Sequence, residues 1–250
     1  MRSLRMVGLV FTVTLVLFTS VTLDSQAVGA DDAPAAIIEK SLKAVGGEAN
    51  FIKHRAARWN ETGTYYGSGQ GQPYGGKYDI QLPGQFRMEI EGVFLIVVNG
   101  DKGWMQAGGE TREMTKEEWL EQAESLHGSW VSSLVPLREK KYKLAALGDS
   151  KVEDRAVVGV RVSCEGHRDV ELYFDKETGL LAKVEQRVKA AEMGGKEVTQ
   201  SAIYRNYREV DGAKIPMKLA VLRDGKQFVE AEVKEYKAAG KLDDSVFAKP

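Results

Sequence analysis

Cysteine is almost absent from this sequence, since Cys164 is the only one among 250 residues. A chain with a single thiol forms no internal disulfide, so a hydrophobic core must supply its stability. Cys164 alternates with Val160 and Val162, which is typical of a small buried residue on the dry face of a strand. Neither charge dominates, because the formal net charge is −1. We therefore expect no nucleic-acid partner.

Catalytic and metal-binding motifs are also lacking. The histidines, His54, His127 and His167, have no metal-ligand spacing such as HExxH, and no G-x-S-x-G elbow occurs. His127 is expected to be a cation near the end of a helix, where the dipole favours positive charge. Cys164, His167 and Asp169 are close in sequence, but a turn need not bring them together. The sequence therefore predicts no catalytic residue, no metal, no cofactor and no enzymatic activity.

The N-terminus has the pattern of an export signal. Arg2 and Arg5 form a short basic region, and residues 7–21 are apolar apart from small hydroxyl residues and a glycine. A run of this length is shorter than the ~20 residues of a membrane span. Small residues fit cleavage after Ala30, with Ala27 as a second choice. Residues 1–30 are therefore predicted to be a signal peptide; the alternative is an uncleaved anchor.

The remaining chain, residues 31–250, is predicted to form one mainly β domain. An amphipathic helix is indicated over residues 34–45, where Pro34 suits its first turn and Gly46-Gly47 stop it. From about Ala57 onwards, polar and apolar residues alternate. This period of two is typical of an antiparallel sheet with one wet and one dry face.

The dry face of this sheet supplies the candidate ligand contacts. Asp-Gly pairs at 211–212 and 224–225 lie between alternating runs and predict hairpins, so the last strands form a meander. The segment "VFLIVV" (93–98) is apolar on both faces and must be covered on both sides. The residues predicted to line a hydrophobic cavity are Phe86, Met88, Ile90, Phe94, Ile96, Val98, Trp104, Val170, Leu172 and Phe174.

A second helix is predicted in the middle of the chain, over residues 115–127. Thr115 and Glu118 form a capping box, and Gly128 is expected to end the helix. The side chains expected to cover the sheet are Trp119, Leu120, Leu126 and Trp130. Two interpretations are open. The helix is either a core element packed on the sheet or a lid that an apolar ligand displaces.

Several stretches, taken in order, resemble the lipoprotein-carrier superfamily of LolA and LolB. They are "IIEKSLKAVGG", "PGQFRMEIEG" followed by "VFLIVVNGDKGWM", the mid-chain helix, "LYFDKETGLLAKVE" and "NYREVDGAKIPMKLAVLRDGK". Each stretch is common alone, and their order over nearly all of residues 31–250 carries the resemblance. It implies an N-terminal helix and a curved antiparallel sheet that forms an unclosed barrel, with a mid-chain lid helix over its mouth.

The resemblance also implies a function. We expect a periplasmic or otherwise exported carrier or chaperone, soluble after cleavage and monomeric, that transports lipid or lipoprotein acyl chains in lipoprotein sorting. An envelope membrane protein is a candidate partner. The alternative is a sensor, regulatory or structural module of the same fold that binds a protein partner. Arg87, and after it Arg58, best matches the superfamily's lid-locking arginine, although both also fit plain surface charges.

Overall fold

A computed structural model describes residues 32–250. The predicted signal peptide and its cleavage site lie outside the described residues. The helices are α1 (Asp32–Ala44), α2 (Glu48–Lys53) and α3 (Lys116–Ser132), with short 3₁₀ helices at Val135–Arg138, Ala191–Met193 and Asp244–Phe247. The strands are β1 (Ala56–Tyr65), β2 (Gln72–Gln81), β3 (Gln85–Ile90), β4 (Phe94–Asn99), β5 (Lys102–Ala107), β6 (Glu110–Glu113), β7 (Tyr142–Val152), β8 (Arg155–Cys164), β9 (Val170–Asp175), β10 (Leu181–Ala190), β11 (Lys196–Val210), β12 (Ala213–Arg223) and β13 (Lys226–Ala238).

All thirteen strands form one sheet, in the order β6-β5-β4-β3-β2-β1-β13-β12-β11-β10-β9-β8-β7. Every neighbouring pair is antiparallel, and only β1 and β13 are neighbours that are distant in sequence. The edge strands β6 and β7 do not pair with each other within residues 32–250, so the sheet curves without closing. This is the mainly β, unclosed barrel with an N-terminal and a mid-chain helix that the sequence predicts.

The N-terminal helix α1 matches its prediction closely. It ends at Ala44, and Gly46 and Gly47 both have positive φ, which stops the helix as expected. A side chain at Gly46 would clash with the carbonyl oxygen of Gly212, so the close approach of two turns also requires glycine there. The short helix α2 follows directly and was not predicted.

The mid-chain helix α3 is longer than predicted. Its capping box forms, because Thr115 accepts a hydrogen bond from the Glu118 backbone and the Glu118 side chain accepts one from the Thr115 backbone. Gly128 does not end the helix, which runs to Ser132, so Trp130 lies within it. The chain turns instead at Leu134, which has a φ of 62°. Gly128 instead allows α3 to pack closely on β10, because it is buried and a side chain there would clash with Gln186.

The apolar segment 93–98 is covered on both faces, as the sequence requires. Ile96 and Val98 of β4 belong to a cluster that includes residues of α3. Leu95 and Val97 belong to a second cluster on the opposite face, with Leu242 and Phe247 from the C-terminal segment. The last residues of the chain therefore shield the outer face of β4, which would otherwise expose apolar surface.

The hairpin signals are confirmed. Asp211-Gly212 and Asp224-Gly225 connect β11 to β12 and β12 to β13, and all four residues have positive φ. That geometry is the type of two-residue turn that Asp-Gly favours. The three strands form the predicted meander.

Candidate functional site

Helix α3 crosses the open side of the half-barrel, because it connects the two edge strands β6 and β7. Its side chains enter two separate apolar clusters. Trp119, Leu126 and Trp130 pack with residues of β2 to β5. Val131 packs with residues of β7 to β10 and of α1. The helix therefore bridges two parts of the sheet, which we call the first wing (β2 to β5) and the second wing (β7 to β10).

The first wing lies beneath α3 and contains most of the predicted inward residues. Phe86, Met88, Phe94, Ile96 and Val98 share one cluster with the α3 side chains. Ile90 lies on the same face by alternation and pairs with Phe94 across the strands. Ile96 and Val98 are buried and can contact a ligand only if α3 shifts, whereas the other four residues are partly exposed. The role of all six as ligand contacts stays a prediction.

The second wing is packed as a core. Val170, Leu172 and Phe174 are almost fully buried, with exposed fractions of 0–1%. They share one buried cluster with Ile38 and Leu42 of α1. The N-terminal helix therefore already covers this part of the predicted cavity lining.

Trp104 requires a correction. It pairs with Val97, whereas the inward residue Ile96 pairs with Met105. Because side chains alternate along a strand, Trp104 lies on the outer face, where it packs against the cluster that contains Phe247. The prediction that Trp104 points inward was wrong, because the sequence does not show the register in which β5 pairs with β4.

Leu120 also differs from its predicted place. Its side chain is 43% exposed, although it was assigned to the covering face of the helix. Trp119, Leu126 and Trp130 define the covered face, and Leu120 points to one side of it. Single exposed leucines are normal on protein surfaces, so this one carries no conclusion.

Polar contacts fasten α3 to the second wing. The Arg168 guanidinium donates to both carboxylate oxygens of Glu121 at 2.8 and 2.5 Å. Glu124, one turn later, accepts a hydrogen bond from the Arg168 backbone N–H, and its Oε1 lies 2.9 Å from His167 Nδ1. Hydrogen bonding to Arg168 lowers the pKa of Glu121, so this carboxylate is charged at neutral pH.

The first turn of α3 is fastened to the other wing. Arg112 donates from both guanidinium nitrogens to Glu118 at 2.7 Å, and this contact lowers the pKa of Glu118 to about 2. The Trp119 indole N–H donates to the Gly100 carbonyl at 3.2 Å. Polar contacts thus hold the first half of the helix to both wings of the sheet.

Arg87 and Arg58 lie on the outer face of the sheet, away from α3. Arg58 pairs with Asp79 and Asp79 with Arg87 across the strands, and Arg87 is opposite Val97. Both arginines contact the Asp79 carboxylate. This placement does not allow either arginine to hold α3, and it fits the alternative interpretation as surface charges.

The middle strands carry a row of partly open apolar residues on the inner face. Tyr204 pairs with Leu219, Leu219 with Ala231, and Ala231 with Gly63. Trp59 pairs with Tyr78, and Tyr78 pairs with Met88 of the inner face. Gly63 is four residues after Trp59 on the same strand, so it also lies on the inner face. Tyr204, Leu219, Val221 and Val229 are only half-buried. This inner surface, which we call the middle groove, lies between the two wings.

A cavity of about 210 Å³ adjoins the middle groove. It lies between α1, α3 and strands of the meander. Its lining is partly apolar and partly polar: Ser41, Val45, His54, Arg55, Leu82, Ser129, Ser132, Ser133, Leu134, Leu181, Tyr204, Tyr207, Lys214, Ile215, Pro216 and Tyr236. This cavity is partly open to solvent, so it is a cleft beside the inner face of the sheet rather than an enclosed void.

Comparison with known proteins rests on structure alone, because no family model and no curated protein sequence matches the chain. A LolA-superfamily protein from Nitrosomonas europaea superposes with a TM-score of 0.56 and 12% identity, over 86% of this chain and 97% of that one. A putative outer membrane lipoprotein-sorting protein domain from Vibrio parahaemolyticus gives 0.53 and 14%, over 85% and 97%. A DUF1329 family protein from Desulfovibrio piger gives 0.58 and 10%, over 86% and 97%.

The chain has a LolA-like fold. At 10–14% identity these similarities define the fold, and a fold alone does not assign a function. The resemblance seen in the sequence is thereby confirmed at the level of architecture.

The inner face of the LolA-like sheet also contains a buried carboxylate. Glu61 is 7% exposed, and its oxygens accept hydrogen bonds from the Tyr74 hydroxyl at 2.7 Å, the Tyr78 hydroxyl at 2.6 Å and the Trp59 indole at 3.3 Å. Burial, followed by the charge of Glu61, raises the pKa of both tyrosines, so they remain neutral donors. This network satisfies Glu61 and links β1 to β2.

Sequence reasoning missed the residues that hold α3 and line the cavity. Arg168 and Glu121 are separated by 47 positions, and no motif marks them as a pair. Tyr204 and Tyr207 could have been noticed, since tyrosines in a meander strand next to a dry face suit a lining with one polar end.

Within residues 32–250, no group of three or more His, Cys, Asp and Glu could hold a metal, and no helix is long and apolar enough to cross a membrane.

Proposed function

We propose that this protein is an exported carrier that holds lipid or lipoprotein acyl chains against the inner face of its half-barrel, with α3 as a displaceable cover. The observation that carries the proposal is the position of α3. It spans the mouth between two apolar wings, and the half-buried middle groove lies between them. An apolar chain laid in that groove would remove its exposed apolar surface from water.

The fastening of α3 supports a cover that opens. Its two tryptophans are half-buried, and its polar anchors to Arg112 and Arg168 lie near the surface. The exposed Arg112–Glu118 pair contributes little, about 0–1 kcal/mol, and the more buried Arg168–Glu121 pair contributes about 1–3 kcal/mol, so both orient the helix without fixing it permanently. The cavity is smaller than the about 300–1,000 Å³ of ordinary ligand pockets, so a whole acyl chain requires movement of α3.

The alternative is an envelope module of the same fold that binds a protein partner. That function needs no internal space, and its interior would be filled by its own side chains. A cavity of about 210 Å³ next to the apolar middle groove offers a place for an amphiphile to bind, which supports the carrier. The exported location belongs to the proposal, since it rests on the predicted signal peptide at residues 1–30.

Binding of a fluorescent fatty acyl probe tests the proposal. We expect saturable binding and a change in tryptophan fluorescence as α3 is displaced. Leu219→Trp fills the middle groove and should weaken binding at least about tenfold, by roughly 1.4 kcal/mol. Lys218→Trp is the matched control, because Lys218 is the exposed neighbour on the opposite face. A flat titration of the folded protein, or equal losses in both variants, would contradict the carrier function.

A further inference from the structure

Two buried polar atoms in the cavity lack partners. Ser41 Oγ on α1 and His54 Nε2 are both buried and form no hydrogen bond within residues 32–250. Both residues line the cavity. Buried polar groups in folded proteins are nearly always paired, because an unmade hydrogen bond leaves a desolvated group without compensation. These two atoms have almost no accessible surface, so a group bound in the cavity can satisfy them only if neighbouring side chains shift.

The charged side chains that line the cavity are cationic, although the nearby Asp211 carboxylate acts on His54 and raises its pKa against the effect of burial. The lining contains Arg55 and Lys214 and no aspartate or glutamate. The Arg55 guanidinium lies 5.3 Å from the centre of the Trp130 ring and donates to the Leu82 carbonyl at 3.3 Å. Among the described residues Arg55 forms no ion pair with a carboxylate. An unpaired guanidinium beside an apolar opening favours an anion.

The hydrogen-bonding state of His54 also suits an oxyanion. Its Nδ1 lies 3.1 Å from the Tyr236 hydroxyl, which can donate to it and leave Nε2 as an N–H donor. Burial lowers the pKa of His54, so the ring is neutral at pH 7. Ser41 adds a hydroxyl donor. A carboxylate has only acceptor oxygens at neutral pH and a phosphate has mainly acceptor oxygens, so either head group matches this set of donors.

The size of the cavity limits what it holds. About 210 Å³ suits a head group and the start of a chain better than a complete lipid. Tyr204 lines the cavity and also begins the middle groove, where Leu219 and Val221 continue the apolar surface. An amphiphile entering the cavity with its polar end would therefore place its tail along that groove.

We propose that this cavity binds the oxyanion head group, a carboxylate or a phosphate, of a single-chain amphiphile whose tail lies in the middle groove. The head group accepts hydrogen bonds from Ser41 and His54 and faces the Arg55 guanidinium. This inference rests on the proposed carrier function and adds the chemical class of the ligand.

Amphiphiles that share one dodecyl tail test the inference, with calorimetry on the purified protein below their micellar concentrations. The set is dodecanoate, dodecyl phosphate, neutral dodecyl maltoside and cationic dodecyltrimethylammonium. We expect the two anions to bind at least about tenfold more tightly than the cation, and their ratio identifies carboxylate or phosphate as the preferred head group.

Variants separate the head-group site from the tail site. Arg55→Gln should weaken the anions about tenfold and leave dodecyl maltoside unchanged, whereas the control Arg58→Gln on the outer face should change neither. Ser41→Ala should weaken the anions yet raise the melting temperature of the free protein, because it removes an unpaired buried hydroxyl. A purely structural serine would not give these opposite signs.

The outcomes distinguish this inference from the carrier proposal. If all four amphiphiles bind equally, or the cation binds best, the carrier function stands and the head-group assignment is wrong. If Ser41→Ala raises the melting temperature without weakening the anions, the cavity holds water only and the assignment is again overturned. If none of the four binds to folded protein, both proposals fail together.

Discussion

The imidazole ring of His127 lies flat on that of His167, with ring centres 3.6 Å apart and planes inclined by 3°. His127 belongs to α3, and His167 lies in the turn between β8 and β9. The stack is therefore part of the contact surface between α3 and the sheet, which we call the seam. The expectation of a cationic His127 at the end of the helix is wrong. The helix continues to Ser132, and His127 is buried.

Acid should loosen this seam. Burial, and next the neighbouring His167, lowers the pKa of His127 to about 4 from its ordinary value of 6.5. Between these values the unfolded chain binds more protons than the folded one, so stability falls as the pH drops from 6.5 towards 4. The other groups around the ring are Glu124, Lys141 and Tyr142, of which only Glu124 opposes this shift.

The prediction is that the free energy of unfolding decreases by at most about 3 kcal/mol over this range on account of His127. Urea denaturation at pH 7, 5.5 and 4.5 measures it. His127→Phe retains an aromatic ring and should flatten the pH dependence. An unchanged pH slope in that variant would show that the stack does not control the seam.

Removal of Arg168 should weaken the attachment of α3 to the second wing. Arg168→Ala leaves the Glu121 carboxylate, 21% exposed, without its cation, so we expect a loss of about 1–3 kcal/mol, between the values for exposed and buried pairs. The acyl probe should also associate faster, because the cover opens more often. Stopped-flow fluorescence measures the association rate.

Two further variants control for this effect. Arg187→Ala breaks the exposed Arg187–Glu197 pair and should change stability by less than about 0.5 kcal/mol. Glu121→Gln combined with Arg168→Ala should recover part of the loss, since no uncompensated charge remains. Additive losses in the double variant would mean that the two side chains do not act as a pair.

The C-terminal segment should be essential for stability. Phe247 is fully buried against Leu95 and Val97 on the outer face of β4. Phe247→Ala should cost about 3–5 kcal/mol through lost burial and a cavity. Chemical denaturation measures the loss, and Lys249→Ala at an exposed neighbouring position is the control. A loss below about 1 kcal/mol would show that the segment does not shield the sheet.

The Glu61 network should stabilise the pairing of β1 with β2. Tyr78→Phe removes a hydroxyl that donates to the buried carboxylate at 2.6 Å, and such bonds to charged groups contribute about 1.5–3 kcal/mol. Thermal unfolding measures the loss. Tyr66→Phe, outside this network, is the control and should cost less than about 0.5 kcal/mol. Equal effects of the two variants would contradict the role of the network.

Local patterns in the sequence were sufficient for the type and order of the main elements. The capping box at Thr115, the glycines after α1 and the Asp-Gly turns all depend on neighbouring residues, so a single chain reveals them. Alternation also placed Phe86, Met88 and Ile96 on one face, because side chains in a strand have a period of two.

Errors arose where a contact joins distant parts of the chain. Trp104 was assigned to the wrong face because the register between β4 and β5 is not a local property. Gly128 was taken as a helix end, but its position against Gln186 of β10 shows that it allows close packing. The pairing of Glu121 with Arg168 has no sequence pattern for the same reason.

Short-range periodicity and turn chemistry are enough to specify a mainly β chain with an N-terminal helix, a capped mid-chain helix and a dry sheet face. Three further relationships appear only in the folded molecule: β1 pairs with β13, α3 spans the gap between the edge strands, and Ser41, His54 and Arg55 line one cavity. Those relationships depend on curvature and register of the whole sheet, which no local stretch of residues contains.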